Sequence, residues 1–177
     1  MDEGSPDDCV TYYRDNDSDG YGDSNDHKCL CQADGAYKAV VGEDCNDQNP
    51  VIFPDGTEFC NGVDDDCDAE VDETNAVGCT LFLKDADNDG YGLNGDSECL
   101  CAAKGDYTAT TGGDCDDESG GISPQAAEVC NGVDDDCDGE ADETGASGCD
   151  TYFLDGDQDG YGDAALQKCL CEPEDFY

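Results

Sequence analysis

The sequence contains no tryptophan, one histidine and one methionine, and six lysines and arginines stand against 48 aspartates and glutamates. A formal charge of −42 inverts the attraction that nucleic acid requires, which excludes a nucleic-acid partner. Leucine, isoleucine, valine and phenylalanine number 24 of 177 residues, and apolar runs such as "TLFL" at 80–83 are short. No segment is apolar enough to span a bilayer, and a chain so charged and so poor in core formers is ordinarily disordered. The opening "MDEGSPDD" has neither the basic nor the apolar region of a signal peptide, so a secretory signal is expected to be cleaved or to lie outside this sequence. Catalytic constellations are missing too. His27 has no evident serine or cysteine partner, and although paired carboxylates perform glycoside hydrolysis, there is no aromatic sugar platform. The chain is expected not to be an enzyme.

What is abundant is cysteine, 15 in all, and carboxylate, and both follow one period. "DNDSDGYGD" begins at Asp15, "DADNDGYGL" at Asp85 and "DGDQDGYGD" at Asp155; 85 − 15 = 70 and 155 − 85 = 70. Cys9, Cys79 and Cys149 keep this spacing, as do Cys29, Cys99 and Cys169, and Cys31, Cys101 and Cys171. A second block carries Cys45 and Cys115, Cys60 and Cys130, and Cys67 and Cys137. The order is A-B-A-B-A: repeat 1 at 9–78 (A 9–42, B 43–78), repeat 2 at 79–148 (A 79–112, B 113–148) and a half repeat at 149–177. Each module falls below the ~80 residues at which a core alone suffices, so cross-links must hold it.

Disulfides are the first kind of cross-link, because no C-x-x-C pair and no recurring histidine supports a zinc or iron–sulfur site. Local staples are expected at Cys60–Cys67 and Cys130–Cys137, with one cysteine of each "CLC" closing its A block and the other reaching into the following B block. That leaves Cys171 unpaired and available for an intermolecular bond.

Cations are the second. Acids at alternate positions followed by glycine supply oxygen ligands around a tight turn, which suits calcium. In the A loops these are Asp15, Asp17 and Asp19; Asp85, Asp87 and Asp89; and Asp155, Asp157 and Asp159, with Gly20, Gly90 and Gly160 at the bend. Tyr21, Tyr91 and Tyr161 follow and would offer backbone carbonyls, and Asp23 and Asp163 occupy the ninth position, where repeat 2 has Leu93. The B blocks present a second set, Asp64, Asp66, Asp68 and Asp72, and Asp134, Asp136, Asp138 and Asp142. Gly139 stands at the bend of the second copy, but Ala69 replaces it in the first, where alanine resists a left-handed turn. "EDCND" at 43–47 and "GDCDD" at 113–117 are further acidic clusters that could serve either loop. These are not EF-hands: position 12 is Asp26, Asp96 or Leu166, and Gly-Tyr-Gly would break a helix at its start. "NDS" at Asn16 is a glycosylation sequon that lies inside the first acidic loop and is absent from the others.

The expected fold is a tandem, elongated array of small disulfide-rich, metal-stabilised modules, mostly loops with short β-strands and little helix. Strand signals are "TYY", "TLFL" and "TYFL" before each A loop and "YKAVV" and "YTATT" after "CLC"; "SPQAAEVC" at 123–130 reads as one or two helical turns.

The order D-x-D-x-D-G-Y-G, then "GDCDD", then "AEVCNGVDDDCDGEADE" resembles the metal-binding repeat named after the MopE protein, found many times over in secreted bacterial proteins. The resemblance implies that Asn61 and Asn131 of "CNGVDDDC" belong to the metal-site signature. It does not carry copper across, since the chain has one histidine and one methionine. The A loops alone are similar to thrombospondin type 3 and dockerin calcium loops. The expectation is a secreted or cell-surface calcium-binding protein holding about five or more Ca2+ ions. Five divalent ions would change the charge to −42 + 10 = −32. Its role would be that of a stiffened spacer associating end to end, the rival being a soluble scavenger or sensor of calcium or lanthanides.

Overall fold

The computed structural model describes residues 9–175, so the opening octapeptide and its signal-peptide reading lie outside the described residues. Ten short strands and no helix occur among them. Contacts divide the chain into two units, one ending at Thr80 and taking in Cys99–Ala102, the other comprising Leu81–Glu98 and continuing from Ala103.

In the first unit β1 (Val10–Arg14) lies between β2 (Asp23–Leu30) and β3 (Tyr37–Ala39), antiparallel to both. In the next repeat β4 (Thr80–Lys84) takes the same central place between β6 (Ser97–Leu100) and β7 (Tyr107–Ala109). β5 (Tyr91–Leu93) separates to pair in parallel with β8 (Thr111–Asp114), and the half repeat has the hairpin of β9 (Asp150–Leu154) and β10 (Asp163–Leu170). The expected strands "TYY", "TLFL", "TYFL" and the starts of "YKAVV" and "YTATT" all form. "SPQAAEVC" does not become helical: Ser123 accepts the N–H of Ala126 in a single turn while its own N–H goes to Asp135.

The acidic loop is the connection of a hairpin. A register shift after Tyr13 sets Arg14 opposite Asp23, and Leu154 faces Asp163 in the same way, so the strands clamp both ends of the loop. The chain then crosses its own first strand so closely that a Cβ on Gly92 would meet Leu83 Cβ and the Lys84 carbonyl at 2.6 Å. This close approach is why a second glycine follows the tyrosine.

Apolar burial contributes little. Among the described residues the buried hydrophobic ones are Ala39, Ile52, Ala76, Leu100, Ala109, Ala146 and Leu170, and no large side chain is fully enclosed. Asp15, Asp44, Asp65, Asp85, Asp114, Asp117 and Asp135 are buried as well, so the interior holds as many aspartates as apolar side chains.

Seven disulfides replace the missing core, and they correct the expected pairing. Cys9–Cys29, Cys79–Cys99 and Cys149–Cys169 close the three A blocks, as expected of one cysteine in each "CLC". The B blocks are closed by Cys45–Cys67 and Cys115–Cys137, not by Cys60–Cys67 and Cys130–Cys137. Cys60 and Cys130 instead bond Cys101 and Cys171, so the second cysteine of "CLC" reaches back to the preceding B block rather than forward. Cys171 is therefore tied within the chain, and the single unpaired cysteine is the exposed Cys31. Sequence spacing alone could not decide this, because local and long-range partners recur with the same period.

Candidate metal centres

In the first A loop each aspartate uses one oxygen to fix the backbone. Asp15 Oδ1 accepts the N–H of Ser18 at 2.6 Å, Asp17 Oδ1 that of Asp19 at 3.4 Å, and Asp19 Oδ1 that of Tyr21 at 2.8 Å. Gly20 supplies the left-handed bend, with φ of 104°. The second oxygens of Asp17 and Asp19 are buried and accept nothing.

The loop is joined by residues of the next block. Asp44 donates its N–H to the Gly22 carbonyl at 3.3 Å, and in repeat 2 the same contact widens into the parallel pair β5–β8, which carries Asp114. Oxygens of Asp17, Asp44 and Asp47 lie within 4.8 Å of one another, as do those of Asp15, Asp17 and Asp19. Asp47 reaches Asn16, and Asp117 accepts the Ala86 N–H at 2.8 Å. Asp44 Oδ2 and Asp114 Oδ2 are buried without a partner, together with Asp85 Oδ1, Asp87 Oδ2 and Asp89 Oδ2. The "EDCND" and "GDCDD" clusters thus converge on the A loops.

Burial pushes the carboxyls of Asp19, Asp44, Asp87 and Asp114 above their ordinary range. Backbone N–H donors oppose this, and neighbouring aspartates of the same cluster reinforce it. Two ammonium groups stand at the edges: Lys38 Nζ lies 3.7 Å from Asp15 Oδ1, and Lys84 Nζ 3.3 Å from Asp117 Oδ2.

The B blocks build a second cluster. Asp64 folds its loop by accepting the N–H groups of Asp68 and Ala69, both at 3.1 Å, and Asp134 does the same for Asp138 and Gly139. Asp64, Asp66 and Asp68 gather there, and Asp66 is also grouped with Glu58 and Glu73, whose two carboxylate oxygens are buried without a partner. The Glu73 carboxyl is pushed up: the nearness of its own backbone N–H works against the shift, but burial, the close Asp68 carboxylate and the charge of Glu58 outweigh it. Asp136, beside Asp138, Glu128 and Asp134, is raised first by burial. Ala69 takes φ of 77° despite its methyl group. Asp72 and Asp142 brace the loop entry, accepting the N–H groups of Asn61 and Gly62, and of Asn131 and Gly132, at 2.9 Å. Asn61 and Asn131 donate their side-chain amides to Asp65 and Asp135.

Other expected residues take up backbone tasks. Asp23 and Asp163 lead into β2 and β10 and accept the N–H groups of Asn25 and Ala165. Tyr91 and Tyr161 donate their amides to Asp89 and Asp159, and the Tyr21 ring stacks on Phe53 with centroids 5.5 Å apart. In the third loop Asp155 uses both oxygens on Asp159 and Gly160, Asp157 and Asp159 are exposed, and Tyr161 is 84% exposed.

Sequence reasoning left open which loop Asp44, Asp47, Asp114 and Asp117 serve and missed Glu58, Glu73, Glu128 and Glu143. One signal could have found them: each recurs at the 70-residue spacing, whereas neighbours such as Glu43 and Asp55 are replaced by Gly113 and Gln125.

The clusters pass the chemical test for a hard cation. Their donors are all carboxylate oxygens, the neighbouring cysteines are oxidised, and the buried oxygens without partners need a positive charge. Residues 44–73 and 114–143 each match the family model of the Cu-binding MopE type, described as "Putative metal-binding motif". Each full repeat holds one such match. Each copy starts at the aspartate that joins the A loop, Asp44 or Asp114, and ends at a glutamate of the B cluster, Glu73 or Glu143. The MopE-type motif therefore frames the B cluster and the acids it lends to the preceding loop. No curated protein and no solved structure gives a significant match.

Proposed function

We propose that the chain is an extracellular calcium-binding structural repeat, a spacer stiffened jointly by cations and disulfides that associates end to end. The observation that carries this reading is the set of buried carboxylate oxygens without partners in both repeats. Carboxylates crowded in this way repel one another until a cation neutralises them, so folding and metal binding are coupled. Calcium suits a large all-oxygen donor set, and extracellular calcium modules fill at roughly 0.1–1 mM, outside cells rather than within them. Seven disulfides fit the same compartment. Association does not pass through Cys171, which is already bonded to Cys130.

The test is titration of chelator-stripped, oxidised protein with calcium, with magnesium as control, followed by calorimetry, circular dichroism and small-angle scattering. Uptake of several ions at millimolar calcium with gain of strand signal and an extended particle is the expected result. A second folded state that differs in shape would instead make the protein a sensor. Ordered, unchanged spectra with no uptake would refute the calcium reading.

A further inference from the structure

We propose that the two aspartates of each D-C-x-x-D segment, Asp44 with Asp47 and Asp114 with Asp117, close the preceding A loop into one shared site for a hard cation, and that this cation joins the A block to the B block. The proposal rests on the calcium reading and adds to it a set of ligands and a mechanical role.

Asp44 is 9% exposed, Asp85 3% and Asp114 5%, and each keeps one buried oxygen without a hydrogen-bond partner. An ionised oxygen in that position is strongly unfavourable unless a positive charge faces it. The chain's own cations answer only in part: Lys38 approaches Asp15 and Lys84 approaches Asp117, both from the rim and about one-third exposed. Each cluster combines five carboxylates with at most one ammonium, an excess of negative charge that a divalent or trivalent ion would offset.

Asp47 and Asp117 fasten the loop through Asn16 and Ala86, so one pair of residues both shapes the A loop and faces its interior. Every A-to-B step then carries a cation joint, and every B-to-A step carries a disulfide, Cys60–Cys101 or Cys130–Cys171. The third loop supplies an internal contrast. Asp157 and Asp159 lie open to solvent there and Asp155 spends both oxygens on its own loop, so Asp157 lines neither of the two closed clusters.

The experiment compares the full oxidised chain with Asp47→Asn, Asp117→Asn and Asp157→Asn variants, each checked for native disulfides by peptide mapping. Calcium binding is read by calorimetry, and exchange of the Asn16 and Ala86 amides by mass spectrometry or NMR. The expected result is that Asp47→Asn and Asp117→Asn each weaken one tight site by about tenfold or more, while Asp157→Asn leaves both tight sites intact. Calcium should slow exchange of Asn16 and Ala86, and each Asp→Asn change should abolish that dependence at its own site. Calcium binding that is unaltered by Asp47→Asn and Asp117→Asn would overturn the shared site, as would equal losses from Asp157→Asn. Absence of calcium binding in the unsubstituted chain would instead overturn the functional reading beneath it.

Discussion

Asn16 gives both its backbone N–H and its side-chain amide to the carboxylate of Asp47, each at 2.7 Å, across 31 residues of chain. In repeat 2 the equivalent residue is Ala86, which keeps only the backbone half of this clasp. Asn16→Ala should therefore make the first loop resemble the second: a loss of about 1 kcal/mol in thermal or denaturant unfolding, with calcium uptake retained. The same clasp occupies the amide nitrogen that a glycan would need, so intact mass of protein from a glycosylating host should show no sugar at Asn16.

Ala69 and Gly139 occupy one register position with φ of 77° and 99°. Nothing lies within 4 Å of a Cβ added at Gly139, so the backbone conformation alone decides the preference. Ala69→Gly should stabilise the first B loop by about 1 kcal/mol, and Gly139→Ala should cost the second about as much. Calcium-loaded unfolding curves of the two variants would test this, and an unchanged midpoint in both would contradict it.

The disulfides make a chemical prediction. Non-reducing peptide mapping should join Cys60 to Cys101 and Cys130 to Cys171, and thiol titration of denatured, unreduced protein should find one free group, at Cys31. Replacing both Cys60 and Cys101 by alanine opens a 41-residue separation and should cost about 4 kcal/mol on the chain-entropy account, against about 3 kcal/mol for the 20-residue Cys9–Cys29 bridge.

Acid should act oppositely on the metal-free and calcium-loaded protein. Burial holds the carboxyls of Asp19, Asp44, Asp87 and Asp114 above their ordinary value of 3.8, so the folded chain takes up protons more readily than the unfolded one. Their contribution is fully present below that value and is lost as pH rises through the raised folded values. Asp26 runs the other way, because the Tyr37 hydroxyl and Arg14 lower its pKa, and its contribution is lost on acidification. Asp66, Asp136, Glu73 and Glu143 are raised as well, so the raised carboxyls outnumber the one lowered, and melting temperatures of metal-free protein should rise from about pH 7 to about pH 4. In excess calcium they should fall, as protons displace the ion. Parallel trends in the two conditions would refute this account.

The repeat, the acidic loops and the strands before them were legible in the sequence because each is a local pattern: alternation of acids, a glycine at the bend, β-branched and aromatic residues in a row. The partners of those loops were not. Asp44 and Asp47 act on Asp15–Asp19 only after the hairpin has formed and the Gly22 backbone has met the Asp44 amide, a contact no periodicity encodes. The same holds for β2, whose "DSNDHKCL" is polar up to its last two residues and becomes a strand because β1 offers its edge and Cys9–Cys29 pins the pair. The helical reading of "SPQAAEVC" failed because the Ser123 N–H is drawn to the Asp135 carbonyl.

The scarcity of buried side chains larger than alanine has a thermal consequence. The heat-capacity increase on unfolding comes from newly wetted apolar surface and is offset by polar surface. A chain whose interior holds four alanines, only three larger aliphatic side chains and as many carboxylates as apolar groups should therefore have a heat-capacity step well below the ~12–15 cal/mol/K per residue of ordinary domains, and a stability curve broad and nearly flat with temperature. Such a molecule would resist chilling and warming alike, and what weakens it would be reductant or chelator rather than heat.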